Sequence, residues 1–250
     1  MVCSASMIVI DSHFVLIRSA YANPGVSKFR LGVSRKTMLP SLAAQDTDLT
    51  VVVSVARCDE HLQERMECFD SLPHKVKFVF RPFSQMPVRR HNLLAGDNWD
   101  LPIGPRIAVS RLDDDDLISV DFMKTTRIAA ESCSAEKAIL DWPCGYVQSG
   151  ALIYRWNNPS NQFITMLTND GDNPHVHSHF ALGRKLFPRV VVSNSRGWVW
   201  VRQPHSITMN TSRRGKNISH RVANRFLKNL KVAHQPTPHR WAVSLPVKIT

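Results

Sequence analysis

The segment 49–56 (LTVVVSVA) leaves this chain few folds to choose from. A continuous β-branched run with no polar alternation is a strand covered on both faces, and such strands sit inside sheets that other layers cover. Around it, short β-rich runs alternate with helical stretches. Strands are predicted at 13–17, 76–80, 106–112 (RIAVSRL) and 138–142, and helices at 29–45, 61–72 and 120–132. The first helical stretch carries Phe29, Val33, Met38, Leu39 and Leu42 as its apolar positions and follows a polar turn through Asn23, Pro24 and Gly25. Pro40 inside it is expected to kink or split the helix. This alternation predicts an α/β domain with a mostly parallel central sheet flanked by helices. In such sheets ligands bind beyond the carboxyl ends of the strands. Arg18, Asp59 and the four aspartates Asp113, Asp114, Asp115 and Asp116 all fall at those ends.

After Tyr146 the pattern loosens. Short β-like pieces at 151–154, 163–167, 190–193 and 198–201 are separated by Asn, Pro and Gly. They suggest a less regular half built onto the same core. The stretch 218–233 is predicted to be a helix, with Ile218, Val222, Phe226, Leu230 and Ala233 on one stripe and Arg221, Arg225, Lys228 and Lys231 elsewhere. Pro236 and Pro238 end it. The expected organisation is one domain over 1–216, its halves meeting near 145, and a basic helix and tail over 217–250.

A length of 250 residues with 43% hydrophobic content supports one substantial core and excludes a disordered chain. No apolar run approaches the ~18 residues of a membrane span. The apolar first ten residues lack a preceding basic region, and Asp11 and His13 follow directly, so they are expected to lead into a strand. Five cysteines (Cys3, Cys58, Cys68, Cys133, Cys144) without CxxC spacing fit a reducing cytoplasm better than a disulfide framework. The net charge of +12 is lopsided: no acid follows Asp172, while basic residues run from Arg184 to Lys248. That imbalance fits an anionic partner (a nucleotide diphosphate, a bilayer surface, a nucleic acid) or simply a solvated basic face.

Four adjacent carboxylates raise one another's pKa, and a divalent cation relieves the repulsion. Oxygen-only ligands suit Mn²⁺ or Mg²⁺, held by one or two carboxylates with waters and substrate phosphates completing the octahedron. The competing reading is an acidic lead into the helix at 120–132. The run's place at the end of a buried strand in a basic protein favours the metal.

The segment SRLDDDDLISVDFM (110–123) resembles the signature of the putative rhamnosyltransferase family, a GT-A group in which a strand ends in R-L-D-x-D-D before a short helix. HFVLIRSA (13–20) is similar to that family's first strand with its arginine. MLPSLAAQ (38–45) is similar to the Pro-Ser-Leu-x-x-Gln that many GT-A enzymes carry before the second strand. WVWVRQPHSITMN (198–210) is similar to a Trp-rich strand that ends in His and then Asn. The resemblance implies a GT-A-like fold and a metal-dependent glycosyltransferase. It would move a hexosyl group, rhamnosyl by the family's name, from a nucleotide-sugar to a glycan or lipid-linked acceptor. It implies that Asp113 contacts the ribose or the metal, that Asp115 and Asp116 bracket metal and diphosphate, and that Asp59 bonds the nucleobase. Arg18, Arg111 and Asp114 would lie beside the nucleotide-sugar, and His205 would complete the metal or diphosphate site. Two D-x-D registers, 113/115 and 114/116, stay open. Arg18 and Asp59 are equally compatible with ordinary strand-end polars, and His205 with a loop histidine.

An inverting transferase needs a general base, whereas a retaining one does not. The segment TNDGDNPHVHSHF (168–180) offers Asp170 and Asp172 as candidates. Its alternating His175, His177 and His179 are compatible with an acceptor or catalytic role, a zinc site or a polar loop. Trp142, Trp156, Trp198 and Trp200 are core residues or a sugar-stacking platform. The helix at 218–233 either packs on the core or lies on an anionic leaflet, making the protein peripheral at the inner face of the membrane. Two other classes compete. A nucleic-acid binder fits pI ≈ 9.9, but no binding module is present and DDDD repels phosphate, so no nucleic-acid partner is expected. A metal-dependent phosphoesterase draws its ligands from separated carboxylates, unlike a single run.

Overall fold

The computed structural model describes residues 9–21, 23–81, 99–149, 151–158, 161–175, 187–202 and 241–244. Its elements are β1 (Ser12–Arg18), α1 (Pro24–Lys36), α2 (Met38–Ala43), β2 (Thr50–Ala56), α3 (Leu62–Asp70), β3 (Lys75–Arg81), β4 (Ile107–Asp113), β5 (Leu117–Ile118), α4 (Phe122–Glu131), β6 (Ala138–Asp141), β7 (Cys144–Ser149), β8 (Leu152–Asn157), β9 (Ile164–Thr168), β10 (Arg189–Val191) and β11 (Trp198–Arg202). The predicted helix at 218–233 lies outside the described residues, as do His177, His179 and His205.

Seven strands form the central sheet in the order β10-β6-β9-β4-β1-β2-β3. Pairing is parallel from β4 through β1 and β2 to β3, and again between β10 and β6. Only β9 runs antiparallel to its neighbours β4 and β6. The α/β architecture with a mixed, mostly parallel sheet is therefore the one the hydrophobic pattern predicts. β2 is buried along almost its whole length, as its valine-rich run without polar alternation requires.

Local chemistry explains where α1 and α2 begin. The Asn23 side chain accepts the Val26 N–H and Pro24 opens α1, so the predicted polar turn is a helix cap. The break between helices falls at Thr37 (φ −124°, ψ −89°), not at Pro40. Pro40 sits in the first turn of α2, where a backbone N–H has no intrahelical partner to lose.

The two faces of the sheet are covered differently. Val15, Ile17, Val51, Val53 and Val55 meet Met38, Leu42, Phe69, Phe122 and Met123 of α2, α3 and α4. On the other face Phe14, Leu16, Val52, Ile107 and Val109 pack under Trp99 and Leu101, which belong to no helix. Residues after 137 add β6, β9 and β10 to the same sheet.

A second sheet of four strands, β5-β11-β7-β8, abuts this core. One of its faces joins Leu117, Tyr146, Val199 and Val201 to Trp241. The other sends Trp198 into the main core beside Trp142 and Phe163. A Cβ at Gly145 would lie 2.1 Å from the Trp198 ring, and one at Gly197 would lie 2.5 Å from Trp142. The two glycines let these indoles sink fully, which makes Trp142 and Trp198 core residues. Trp156 and Trp200 stay half-buried and stack on each other at 5.3 Å. The sequence pattern misses β5, which is two residues long, and β7, whose CGYVQS shows neither strict alternation nor a β-branched run.

Candidate functional site

From β1 the chain moves outward through β2 to β3, whereas β4 lies on the other flank of β1. Between β1 and β4 the strand order therefore reverses, and the crevice beyond their carboxyl ends is where open α/β sheets take ligands. The register places Arg18 directly beside Asp113 and Leu16 beside Arg111. Alternation puts Arg18, Arg111 and Asp113 on the face that carries Phe14 and Val109. The Arg111 guanidinium lies 3.5 Å from the Asp113 carboxylate and that of Arg18 lies 3.9 Å away. Arg18 and Asp113 are each about a third exposed, at 30% and 33%, so they open to solvent. Arg111 is buried; burial lowers its pKa, against the pull of Asp113. His175 stacks on Trp99 at 5.2 Å, with Nε2 3.5 Å from the Leu16 carbonyl. Burial, then Arg111 and Arg18, push its pKa well below the ordinary imidazole value, so it is a neutral ring beneath the two guanidiniums.

The rest of the aspartate run turns into protein. Asp114 is fully buried and accepts hydrogen bonds from Ser19 Oγ and Tyr21 Oη, each at 2.8 Å, and from the Arg30 guanidinium. The same guanidinium donates to Asp115. Ser34 Oγ, one turn further along α1, donates to the Asp114 carbonyl at 2.6 Å. Asp116 Oδ1 accepts the Val201 N–H at 3.1 Å, and its buried Oδ2 has no partner among the described residues. Burial raises the Asp115 pKa to about 7, against Arg30, with Asp114 adding to the rise. Asp116 is raised well above the carboxylate range by burial, then by Asp115 and Asp113.

This geometry revises several expectations. Asp59 does not face a ligand. Its side chain is wholly buried, paired with Arg65 at 3.0 Å, and accepts from Ser27 Oγ and the His61 N–H. Arg65 continues to Ser19 Oγ at 2.8 Å, and the Tyr21 ring receives both Arg65 (5.1 Å) and Arg30 (5.7 Å). One polar network therefore joins Asp59 to Asp114 under the crevice, and neither carboxylate is open to a nucleotide-sugar.

Asp115 and Asp116 are buried as well: Arg30 donates to Asp115, whereas Asp116 is met by the Val201 N–H and keeps a buried Oδ2 without a partner among the described residues. Among the described residues no group of three or more His, Cys, Asp or Glu side chains is placed to hold a metal ion. Guanidiniums also supply counter-charge within the run, Arg18 and Arg111 to Asp113 and Arg30 to Asp114 and Asp115, alongside whatever a divalent cation would add. Asp113 alone, with a third of its side chain exposed, fits a site with one carboxylate completed by waters and phosphates.

Asp170 and Asp172 lie at the wrong edge for the predicted base. Thr168 pairs with Ile107, the first residue of β4, so the residues after it begin at the amino end of that strand. Asp113 is six residues further along, about 20 Å at a rise of ~3.3 Å per residue. Asp170 instead pairs with Lys137, which also lies 3.7 Å from Asp172.

Sequence reasoning missed Ser19, Tyr21, Arg30 and Arg65. Arg30 carries no signal, since in α1 it stands among Lys28, Arg35 and Lys36 as one more basic helix residue.

The chain matches the family model described as "Putative rhamnosyl transferase" over residues 17–217. No curated protein matches it. Among solved structures, S. aureus TarS 1–349 in complex with UDP-GlcNAc aligns at 13% identity and a TM-score of 0.46, covering 77% of this chain and 59% of that one. A second crystal structure of S. aureus TarS 1–349 aligns at 14% identity and a TM-score of 0.44, covering 76% of this chain and 60% of that one. HddC from Yersinia pseudotuberculosis aligns at 11% identity and a TM-score of 0.37, covering 76% of this chain and 89% of that one. The chain thus spans about three-fifths of the TarS 1–349 chains it matches.

Proposed function

The chain belongs to the putative rhamnosyl transferase family, and from that premise we propose that it transfers a hexosyl group, rhamnosyl by the family's description, from a nucleotide-sugar donor to a glycan or lipid-linked acceptor, with Mn²⁺ or Mg²⁺ at Asp113. The observation that carries the reading is the cluster of Arg18, Arg111 and Asp113 on one face of the β1–β4 crevice. Two guanidiniums beside one carboxylate leave a net positive charge where a diphosphate would sit. Arg111 is largely removed from water, so its attraction for phosphate is screened less than a surface arginine's. Asp113 would hold the metal or the ribose; the metal would stabilise the leaving diphosphate when bound. His175, neutral beneath the arginines, supports them without adding a third positive charge.

Among the described residues no helix is long and apolar enough to cross a membrane. The basic stretch 218–233 supports a peripheral contact with an anionic leaflet at the cytoplasmic face. Liposome binding by the full chain should then rise with anionic lipid content and fall with added salt, and indifference to both removes the idea.

A thermal-shift panel tests the central reading. Nucleotide-sugars with Mn²⁺ should raise the Tm of the wild type and fail to do so for Asp113→Asn. Stabilisation by an oligonucleotide without metal, and by no nucleotide-sugar, would replace the transferase with a nucleic-acid binder.

A further inference from the structure

Behind the open positions of the crevice lies a guanidinium whose hydrogen bonds go to the buried part of the aspartate run. Arg30 reaches up from α1 with its side chain 11% exposed and donates to both Asp114 and Asp115. Its Nε donates to Tyr21 Oη at 2.9 Å, and Tyr21 itself donates to Asp114. Ser34, one helical turn beyond Arg30, lies with its Oγ 2.6 Å from the Asp114 carbonyl and 2.9 Å from the Arg30 carbonyl, and donates to the run across that gap. Four consecutive carboxylates would otherwise splay apart by mutual repulsion. A planar fork spanning two adjacent side chains fixes their separation as well as their charge, which a point charge on a flexible stem does not do.

We propose that Arg30 is the positioning residue of the site. It acts as a built-in counter-cation whose fork ties down Asp114 and Asp115 and so presents Asp113 to the nucleotide-sugar and its metal. The idea rests on the transferase reading for its ligand but not for its geometry. The Arg30 guanidinium directs its hydrogen bonds to Asp114, Asp115 and Tyr21. It acts through the shape of the turn that joins β4 to β5.

Arg30→Lys keeps the charge and removes the fork. If the fork positions the turn, Arg30→Lys should weaken nucleotide-sugar binding about 10- to 100-fold, the range for losing an outer-shell partner, while the protein stays folded. Hydrogen exchange should rise in the peptide spanning 113–118 and stay unchanged in β1 and β2. Wild-type affinity and wild-type exchange in Arg30→Lys would overturn the proposal, because charge alone would then suffice.

Arg30→Met paired with Asp114→Asn covers the case in which the single variants unfold. The double variant removes Arg30 and the more deeply buried of its two carboxylates and should recover thermal stability over Arg30→Met, yet still bind nucleotide-sugar weakly. Recovery of both stability and binding would make Arg30 a neutralising group only. If the wild type binds no nucleotide-sugar with or without Mn²⁺, the transferase reading fails. The exchange comparison still decides Arg30: faster exchange confined to 113–118 supports it, and unchanged or uniformly faster exchange overturns it.

Discussion

Carboxylates meet cations at both edges of the central sheet, and the two edges behave as different materials. At the carboxyl edge Asp114 and Asp115 are held by Arg30 in the protein interior, and Asp59 is held by Arg65 with both side chains wholly buried. At the amino edge Asp170 and Asp172 meet Lys137 in solvent, with the Asp170 side chain half exposed. At both edges the aspartates follow strands, but their cations are arginines of α1 and α3 at one and a lysine just before β6 at the other. Burial decides that one set is a fixed scaffold and the other a pair of screened surface contacts.

The largest effect should come from breaking the buried side. Asp114→Ala strands the Arg30 guanidinium without its main partner, and removing one member of a buried pair typically costs about 3–5 kcal/mol. Urea unfolding measures it. A loss no larger than that of an exposed pair would mean that water reaches Arg30 and that the two edges are alike.

Next in size is a functional contrast within the carboxyl edge itself. Asp113→Asn should lower nucleotide-sugar affinity at least tenfold and leave unfolding nearly unchanged, because its carboxylate faces the crevice. Asp59→Asn should do the reverse, costing stability through Arg65 while the remaining folded protein binds. Titration calorimetry beside denaturation sorts the two. A binding loss for Asp59→Asn at full foldedness would return that residue to the nucleobase.

The pH response of the two edges should have opposite sign. The Asp115 pKa is raised from 3.8 to about 7, so between those values the folded chain holds a proton that the unfolded chain releases. Its contribution is full below about pH 4 and is lost as pH rises to about 7. The Asp170 pKa is lowered from 3.8 to about 2 by Lys137 and Thr168, so its contribution is present above about pH 4 and lost as pH falls toward 2. Differences between wild type and Asp115→Asn, and between wild type and Asp170→Asn, isolate each group from buried His13, whose pKa is lowered to about 3. Difference curves of the same slope would contradict the assigned burial.

The smallest effect is expected at Lys137. Lys137→Gln removes an exposed ion pair and should change stability by about 0.5 kcal/mol or less, with nucleotide-sugar binding untouched. A binding defect there would bring the amino edge back into the reaction and reopen Asp170 and Asp172 as groups that act on the substrate.

The sequence alone determined the sheet's strands wherever local pattern and burial coincide. The run 49–56 is valine-rich, without polar alternation, because both faces of β2 are covered, and the aspartates follow 106–112 at a strand's carboxyl end, where open α/β sheets take ligands. It also located Arg18, Arg111 and Asp113, the groups that share one face of that crevice. Tertiary structure alone decided which carboxylates stay open. Arg30 looks like a solvated helix residue until α1 lies against the turn after β4, and Asp59 looks like a ligand until Arg65 of α3 closes over it. Asp170 and Asp172 are candidates for the base by sequence because a strand's direction cannot be read from its own residues. Only the antiparallel pairing of β9 with β4 carries them to the opposite edge. Hydrophobic periodicity is a local property of the chain, whereas strand direction and the burial of a charge are settled by partners dozens of residues away.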